Sequence, residues 1–394
     1  MEKNTPFEVK QSPIKLGGKK PRKWLRVVLI IACLLLAVGG TMAFKMGMFV
    51  NSISTKGNIF KSLTKSLPGA SHELKGQADD RVNVLLLGMR GAEETGGGLL
   101  ADTIMVVSIK PSTNQVSMIS IPRDLTVQVP NNNFQSKINA VHFYGEDQGG
   151  AGKGLTYMEQ VVGDVAGIPI HYAVSINFKG FRELVDVLGG VDVTLKEPFA
   201  ELLQFHEPHV CDPYVFTIPT GKYEMKYDHK GRVKVGSVHP LCYNKNPECG
   251  GSFELPAGTN HLDGEKALCY ARARFSSNDF ERAARQQLVI EAIKQKALSV
   301  GTLSDFGKVS AVMDSLGQNM KTDMEAWEMK EFFALYQKMP NPTTTSRVLQ
   351  DSEEGLLYAA PQTPELGYHL LPRGDNYDRI QALFQNVFSV PAQK

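Results

Sequence analysis

The 394-residue sequence lacks several features that would place it in a special class of protein. It has no internal repeat and no low-complexity tract, and its five cysteines include no C-x(2–4)-C pair of the kind that structural zinc sites use. Because 42% of the residues are hydrophobic, the chain can form one large globular domain, or two ordinary ones, with a substantial core.

An excess of positive charge lies at the N-terminus. Residues 1–26 hold eight Lys and Arg against two acids, whereas the whole chain has 43 bases and 41 acids. The remainder is therefore slightly acidic, although the pI of about 8.1 suggests a basic protein. A general nucleic-acid binder needs a basic body, so we expect no nucleic acid among the partners.

An uncharged segment follows the basic tail of residues 1–26. Val27–Phe44 contains eighteen residues without a charge, which at about 1.5 Å per residue nearly crosses a bilayer core. The preceding bases predict a single-pass cell-membrane anchor with a cytoplasmic N-terminus and an extracytoplasmic chain from residue 45 onward. A cleavable signal peptide and a buried core helix are the alternatives.

The predicted topology determines what we expect of the cysteines. Outside the membrane we expect a disulfide among Cys211, Cys242 and Cys249, although the sequence does not give the pairing. Cys269 lies in an apolar, helix-like run, and there we expect a buried free thiol. A zinc site built from these cysteines and nearby histidines is the weaker alternative.

Short apolar runs alternate with amphipathic ones after residue 80, which predicts helices packed on a mixed sheet. The strand-like runs are Val82–Leu87, Thr103–Lys110, Val116–Ile121 and His171–Ile176. The helical patterns are Gly154–Val165, Phe178–Leu188, Leu262–Arg272, Phe280–Leu298, Asp305–Met320, Met324–Met339 and Tyr377–Phe388.

Two segments break this alternation. Residues 45–80 are polar and rich in Ser, Lys and Gly, which predicts a stalk before an extracytoplasmic domain of residues 81–394. Between residues 197 and 252 the periodicity fails while Pro, Gly, His and Cys accumulate. We interpret this second segment as an insertion or lid.

Four arginines cluster in residues 270–287, the segment YARARFSSNDFERAARQQ. They are Arg272, Arg274, Arg282 and Arg285. Several guanidiniums at one place suit the oxygens of a bound polyanion. In a helix, Asp279, Arg282 and Gln286 share one face, and in a strand Arg272 and Arg274 share one side. The alternative is a solvated face or a structural ion-pair network.

A second group of charges adjoins the predicted sheet. Arg123 and Asp124 follow Pro122 at the end of the third strand, where their side chains can face a cleft. Lys137 precedes a helical pattern, and Asp102 precedes an apolar strand, where a carboxylate is unusual unless it caps a turn or holds a metal or a guanidinium. A surface ion pair without a further role is the alternative for Arg123 and Asp124.

The order of these motifs resembles one known family. Seven motifs follow one another over roughly Arg81–Ser299, in the order LLLG, ADTIMVVSIKP, SIPRD, SKINA, LGGVDV, LDGEKAL and DFER-x-x-RQQ. The later segment GYHLLPRGDNYDRI extends the similarity. Each motif is weak alone, but their joint order is specific. The chain resembles the LytR-CpsA-Psr family of cell-envelope phosphotransferases, which also have one N-terminal span and an external domain.

The resemblance implies an α/β/α sandwich whose central mixed sheet and helices enclose an apolar tunnel for a polyprenyl chain. The positions similar to the family's pyrophosphate contacts are Arg123, Lys137, Arg272, Arg274, Arg282 and Gln286. Asp102 is similar to a magnesium-ligating carboxylate, and the catalytic set would be Arg123, Asp102 and Arg282. Members transfer a glycopolymer from a polyprenyl-pyrophosphate carrier to a peptidoglycan hydroxyl, and pyrophosphate cleavage would be a second activity.

Two positions depart from the family pattern. Arg90 stands where members have a second magnesium-binding Asp, and Leu100 stands where they have an Arg. A guanidinium cannot ligate a cation, so a two-carboxylate Mg²⁺ site is in doubt. We expect Arg90 to join the pyrophosphate-binding set in place of the lost arginine. The alternative places Arg90 in solvent.

Two functions from different classes follow. The first is a membrane-anchored transferase, in which the arginines stabilise charge on the phosphate oxygens. The second is a non-catalytic polyprenyl-phosphate-binding or regulatory envelope protein. In both, Asp124 and Asp279 would orient Arg123 and Arg282 or cap a helix, and a role for either as a base stays open.

Overall fold

The structure of the protein is a computed structural model. It describes residues 48, 52–55, 73–91, 98–150, 152–201, 208–211, 216–227, 232–244, 253–273, 277–297, 316–317, 319–352 and 355–390. The predicted basic tail and membrane anchor, and most of the predicted helix Asp305–Met320, lie outside these residues. Within the described part, no helix has both the length and the apolar character needed to cross a bilayer.

The secondary structure follows the predicted alternation. The described strands are β1 (Val82–Met89), β2 (Ala101–Lys110), β3 (Gln115–Ser120), β4 (Thr126–Gln128), β5 (Gln135–Lys137), β6 (Tyr172–Asn177), β7 (Val191–Leu195), β8 (Phe199–Glu201), β9 (His209–Val210), β10 (Phe216–Tyr227), β11 (Val233–Asn244), β12 (Phe253–Leu255), β13 (Gly258–Leu262), β14 (Met320–Thr322), β15 (Thr343–Val348), β16 (Leu357–Thr363) and β17 (Gly367–Pro372). The described helices are α1 (Val141–Gly149), α2 (Lys153–Ala166), α3 (Phe178–Val187), α4 (Gly264–Arg272), α5 (Asp279–Ala297), α6 (Ala326–Gln337) and α7 (Asp378–Gln385).

Six strands form the central sheet in the order β14-β6-β1-β2-β3-β15. Strand β1 pairs antiparallel with β2 and parallel with β6, and β3 pairs antiparallel with β2 and parallel with β15. The turn between β2 and β3 is tight because Asn114 adopts a left-handed conformation, φ 51°, which asparagine tolerates. The predicted mixed sheet is confirmed.

Helices cover both faces of this sheet. Along β1, Leu85 and Leu87 point to one face and pack with α1, α2 and α7. Val84 and Leu86 point to the other face, toward α6. This period of two is what a strand buried on both sides produces. Helix α4 packs against α3 and α5, and the three helices surround a second core cluster with β7 and β13.

The segment 197–252 is more regular than its sequence indicates. Its described part contains β8 and a three-stranded sheet in the order β10-β11-β9. The pairing of β10 with β11 shifts register at three places, and Pro219, Gly221 and Gly236 lie inside the strands. These bulges hide the alternation of period two, which is why the sequence pattern failed there.

The cysteines confirm one expectation and correct two. Cys211 and Cys242 form a disulfide, with their Cα atoms 4.8 Å apart, so the zinc alternative is wrong. Cys269 is disulfide-bonded as well, so the expectation of a free thiol there is wrong. Cys269 lies on the buried side of α4, and burial alone does not separate a thiol from a disulfide sulfur.

Two parts of the predicted stalk belong to the folded domain. Ile53 and Leu74 are buried, and the backbone N–H of Thr55 donates to the carbonyl oxygen of Thr322 at 2.8 Å. Leu74 packs with Tyr172 in the core cluster on the α6 face. Single apolar residues within a polar segment were enough to anchor it, so a domain boundary at residue 81 is too late for these stretches.

We expect the protein to lose stability as the pH falls from about 7 to about 5. The Nδ1 of His171 accepts the backbone N–H of buried Asn83 at 3.0 Å, which requires an unprotonated ring nitrogen. Burial, and then the charge of Lys75, lowers the pKa of His171. The unfolded chain therefore takes up the proton first, and stability present above about pH 6.5 is lost as the pH falls through the folded pKa.

The substitution His171→Asn tests this origin, because its amide oxygen can accept the same N–H but cannot be protonated. Thermal unfolding measured at both pH values should show a smaller drop in midpoint for His171→Asn than for the wild type. Equal drops in the two proteins would show that His171 is not the titrating group.

Candidate functional site

An apolar cavity of about 210 Å³ lies between the central sheet and helices α3, α4 and α5. Its apolar walls include Leu86, Val174, Ile176, Phe181, Leu268 and Val289. Its polar lining consists of Thr103, Asn177, Arg272 and Gln286. A buried space of this composition suits an apolar ligand that carries a polar or anionic group.

Polar and charged residues lie where one edge of the sheet meets this cavity. Strands β1, β3 and β6 run in the same direction, so their carboxyl ends share an edge with the amino end of β2. Arg90 follows β1, Arg123 follows β3, Asn177 ends β6 and Asp102 lies near the start of β2. Ligands of α/β proteins commonly bind at such an edge.

Asp102 occupies a β-bulge. Gly88 pairs with Thr103 and Met89 pairs with Ala101, so Asp102 is the extra residue of β2. A bulge re-aims the side chain of the extra residue, and bulges are frequent beside active sites. Asp102 was predicted to lie just before the strand, whereas it lies inside β2.

Arg123 contacts three carboxylates. Its Nη1 donates to Oδ1 of Asp102 at 2.6 Å. Its Nε lies 3.4 Å from Oδ2 of Asp279 and 3.5 Å from Oδ2 of Asp124. These carboxylates come from β2, from the N-terminus of α5 and from the loop after β3, so Arg123 joins three parts of the chain at one point.

The carboxylates also determine the protonation of Arg123. Burial alone would lower the pKa of this guanidinium. The charge of and the hydrogen bond to Asp102, followed by the charges of Asp279 and Asp124, outweigh burial and raise the pKa. Arg123 therefore stays cationic at every physiological pH and acts as a fixed positive charge.

Lys137 and Arg282 extend this ion-pair network. The Nζ of Lys137 donates to Oδ1 of Asp124 at 2.8 Å, and the pairing of β4 with β5 brings the two residues together. The Nη1 of Arg282 lies 3.2 Å from Oδ1 of Asp279, one helical turn away in α5. The predicted common face of Asp279 and Arg282 is confirmed. Asp124 was expected to orient Arg123, but its contact with Lys137 is the shorter one.

The network is balanced in charge, since its three cations face three carboxylates. Additional positive charge comes from Arg272, whose guanidinium lies 4.4 Å from the ring centroid of Phe178 and lines the cavity. The carbonyl of Arg90 accepts the N–H of Phe178 at 3.4 Å, so the backbone of Arg90 adjoins the same aromatic ring. Arg272 therefore adds a guanidinium to the wall of the cavity where it adjoins the network, which we call the mouth of the cavity.

Two residues of the arginine-rich segment differ from the rest in their contacts. Arg272 ends helix α4, so the alternative of a strand shared with Arg274 does not hold for it, and Arg274 lies outside the described residues. Gln286 lines the cavity, and its Nε2 lies 3.4 Å from the carbonyl oxygen of Ala271. Gln286 therefore lies beside Arg272 in the wall of the cavity, and its role in binding stays a prediction.

Arg285 is a structural residue. Its Nε donates to the carbonyl of Tyr270 at 3.2 Å, and its Nη2 donates to the carbonyl of Ala273 and to Oγ of Ser277. Burial lowers the pKa of Arg285, but these acceptors compensate for the lost water. Arg285 thereby fixes the connection between α4 and α5, which begins directly after Arg272.

Sequence reasoning missed two residues near the network. Asn177 caps α3 by accepting the N–H of Gly180 at 2.8 Å, and it also lines the cavity. Burial, and then the charges of Asp351, Asp124 and Asp279, raises the pKa of Tyr368. Asn177 directly before a predicted helix is a local capping signal that the sequence contains. No local pattern shows that β17, which carries Tyr368, approaches the loop after β3.

The side chains present limit the kinds of metal site that fit. Among the described residues, no three His, Cys, Asp or Glu side chains are grouped so as to hold a metal ion. A site with two carboxylates at the edge of β1 and β2 does not fit, because Arg90 replaces the second one. Asp102 together with phosphate oxygens of a ligand does fit the usual mode of Mg²⁺ binding.

The family assignment follows from a comparison with known proteins. A model of the LytR_cpsA_psr family matches residues 46–367. The chain belongs to this family. The match includes the segment 197–252 and the buried parts of the predicted stalk, so both lie within the region that the family model covers.

Two curated relatives are each 27% identical to this chain. One is the polyisoprenyl-teichoic acid–peptidoglycan teichoic acid transferase TagU of Enterococcus faecalis, aligned over 76% of this chain and 79% of that protein. The other is the polyisoprenyl-teichoic acid–peptidoglycan teichoic acid transferase TagT of Bacillus subtilis, aligned over 78% of this chain and 79% of that protein.

Two solved structures share the fold at 24% identity. A structure described as TagT bound to LIIa-WTA has a TM-score of 0.52 and covers 82% of this chain and 96% of its own. A structure from Enterococcus faecalis described as a transcriptional regulator has a TM-score of 0.51 and covers 82% of this chain and 92% of its own. At this identity the likeness shows a common architecture and no more.

We expect Arg285→Met to lower the free energy of unfolding by about 2 to 4 kcal/mol, because buried acceptors on Tyr270, Ala273 and Ser277 lose their donor. The matched control is Arg379→Met, at an exposed position of α7, which should change stability by no more than about 0.5 kcal/mol. Denaturant unfolding measures both. Equal effects would contradict the structural role of Arg285.

Proposed function

We propose that the protein is a transferase that moves a glycopolymer from a polyprenyl-pyrophosphate carrier to a hydroxyl of peptidoglycan. The observation that supports this most is the apolar cavity with Arg272 and Gln286 in its wall, beside the ion-pair network of Arg123. The names of the curated relatives, which are teichoic acid transferases, support the same class of donor and acceptor.

In this proposal the cavity holds the polyprenyl chain and the cations hold the pyrophosphate. The volume of about 210 Å³ is below the 300 to 1,000 Å³ that is typical of drug-sized ligands. A long polyprenyl chain would therefore occupy the cavity in part, or would separate α3 from α5 on binding. The pyrophosphate-binding residues would be Arg90, Arg123, Lys137, Arg272, Arg274, Arg282 and Gln286.

The chemistry is a phosphoryl transfer. A hydroxyl of the acceptor attacks the phosphorus that carries the glycopolymer, the bond from that phosphorus to the bridging oxygen breaks, and polyprenyl phosphate leaves. Charge develops on the equatorial oxygens and on the leaving phosphate, and the fixed guanidiniums of Arg123 and Arg282 would stabilise it. Asp102, Asp124 and Asp279 hold these cations in position. Water in place of the acceptor hydroxyl would give pyrophosphate cleavage.

A magnesium ion would be held by Asp102 and by phosphate oxygens of the carrier. When bound, it would neutralise part of the charge on the pyrophosphate. Arg90 would supply positive charge where a second carboxylate ligand would otherwise stand. The side chains of this protein would then provide most of the charge stabilisation themselves.

The location that agrees with this function is the outer face of the cell membrane. The uncharged segment Val27–Phe44 would anchor the chain with its N-terminus in the cytoplasm. The disulfide between Cys211 and Cys242 supports an extracytoplasmic domain, because disulfides persist in oxidising compartments. The membrane would then supply the lipid-linked donor directly.

A second candidate function is binding of polyprenyl phosphate without turnover. The departures at Arg90 and Leu100 favour it, because the first removes an expected metal ligand and the second removes an expected arginine. Such a protein would need the same cavity and the same cations, so lipid binding alone does not separate the two functions. Appearance of labelled glycopolymer on peptidoglycan does.

We expect Arg123→Ala to reduce transfer of labelled glycopolymer to peptidoglycan by about 100-fold or more, as loss of a preorganised charge stabiliser does. The control is Arg379→Ala at an exposed position, which should transfer at the wild-type rate. Release of polyprenyl phosphate is measured in parallel. Wild-type protein that binds the carrier but transfers nothing would favour the non-catalytic function.

We expect transfer by the wild type to depend weakly on magnesium, because Arg90 supplies charge at the pyrophosphate. The variant Arg90→Asp restores a carboxylate and should become dependent on magnesium. Transfer is measured with and without a chelator, and Mn²⁺ binding is measured by electron paramagnetic resonance with pyrophosphate present. Complete loss of wild-type activity under chelation would contradict this role of Arg90.

A further inference from the structure

The hairpin of β10 and β11 carries an unusual share of the exposed apolar side chains. Within the described part of the chain, twelve large hydrophobic side chains are exposed, and six of them belong to this hairpin. The six are Ile218, Tyr223, Met225, Val233, Val238 and Tyr243. A concentration of this kind marks a binding surface rather than scattered exposure.

Four residues of the hairpin form one continuous face. Tyr223 pairs with Pro240 and Met225 pairs with Val238 across the two strands, and directly opposed residues lie on the same side of a sheet. Tyr223 is 55% exposed, Met225 is 41% exposed and Val238 is 47% exposed. We call this set of four residues the hairpin face.

Basic side chains alternate with the apolar ones along the hairpin. In the described part of the two strands and the residue before β11, four Lys or Arg side chains stand against one acid, Glu224. The four are Lys222, Lys226, Arg232 and Lys234, and all are exposed. The remainder of the domain is slightly acidic, so the positive charge of the hairpin is local. Long basic side chains beside apolar ones can reach anionic groups while the apolar groups are buried.

The root of the hairpin is fixed to the wall of the cavity. Phe216 and Cys242 are buried against Leu268 of α4, and the disulfide from Cys211 ties β11 to the chain before β10. The ring centroid of Phe216 lies 5.9 Å from the guanidinium of Arg272 at the cavity mouth. The hairpin therefore projects from the site at which the head group of the donor would bind.

We propose that the hairpin face docks on a lipid bilayer that carries anionic head groups. Aliphatic and tyrosine side chains enter the interface between head groups and acyl chains, and the long basic side chains that alternate with them reach lipid phosphates around the edges of the hairpin. A surface for an anionic wall polymer would need the bases but not exposed Met225 and Val238. A surface for a second copy of the chain would leave like charges of two hairpins facing one another.

This docking goes beyond the proposed transfer reaction and would assist it. A hairpin that rests on the bilayer holds the cavity mouth near the plane of the phosphate head groups, where the pyrophosphate of a lipid-linked donor lies. Phe216 is a common contact of the hairpin and the cavity mouth, so docking of the hairpin would act on the position of Arg272 through its root.

The test uses the full chain in lipid nanodiscs. The nanodiscs contain phosphatidylcholine, with or without about one third phosphatidylglycerol, and a small fraction of a phospholipid with a photoreactive diazirine in its acyl chain. After irradiation, labelled peptides are identified by mass spectrometry. We compare the wild type with Met225→Ser/Val238→Ser, with Lys222→Glu/Lys226→Glu, and with Phe333→Ser as a matched exposed apolar position on α6.

In the wild type we expect label on the peptides of residues 216–244, and more of it with phosphatidylglycerol present. Both double variants should lose this label about fivefold or more, whereas Phe333→Ser should keep it. Absence of label on the hairpin, or equal label in the double variants, would overturn the proposal. Crosslinks between two copies through the hairpin would overturn it in favour of self-association, and loss of binding to wall polymer without loss of label would overturn it in favour of a polymer surface.

Labelling requires no turnover, so its outcome is separate from that of the transferase function. A soluble, short-chain pyrophosphate donor in detergent provides the second measurement. With this donor the variant Met225→Ser/Val238→Ser should transfer at the wild-type rate, because no bilayer is involved. Reduced transfer in detergent would show that the face acts in the reaction itself, which contradicts a docking role.

Discussion

The ion pairing of Arg123 is the interaction on which the site depends. A guanidinium at this depth is stable only when carboxylates replace the water that it has lost. Asp102 reaches it from the sheet and Asp279 reaches it from the N-terminus of α5. The same contacts that satisfy the charge therefore hold α5 over the sheet, and the space that remains between them is the apolar cavity.

This arrangement provides separate environments for the hydrocarbon chain and for the pyrophosphate of a lipid-linked donor. The walls of the cavity are apolar, because the strands present Leu86 and Val174 and the helices present Phe181 and Val289. The cations gather only where the carboxyl ends of β1, β3 and β6 meet the start of α5. A ligand with a hydrocarbon chain and an anionic head therefore has one orientation in which both parts are satisfied.

Much of this could be predicted from the sequence, because local signals and spacing decide it. Buried runs such as Val82–Leu87 gave the strands of the sheet, and the spacing of Asp279 and Arg282 gave their contact in α5. The resemblance to the family assigned Arg123 and Lys137 to one site, and in the structure both contact Asp124. The binding roles of these residues stay predictions, although the network and the cavity mouth bring the described members together.

The rest depends on contacts between distant parts of the chain. No local pattern shows that Asp124 prefers Lys137, because that pairing is set by β4 and β5. Bulges hid the strands of the hairpin, and the disulfide state of Cys269 depends on a second cysteine that no local pattern identifies. The exposed face of the hairpin could not be seen until the register of β10 with β11 was known.

The central claim is that this cavity binds the hydrocarbon chain of a polyprenyl phosphate carrier. Mass spectrometry of lipid that copurifies with the detergent-extracted full chain tests it most directly. The wild type should carry a phosphorylated polyprenol, and Leu184→Trp, which fills the cavity from α3, should lose that lipid while staying folded. Recovery of ordinary phospholipid alone from the wild type, or of equal polyprenol from both proteins, would contradict the account.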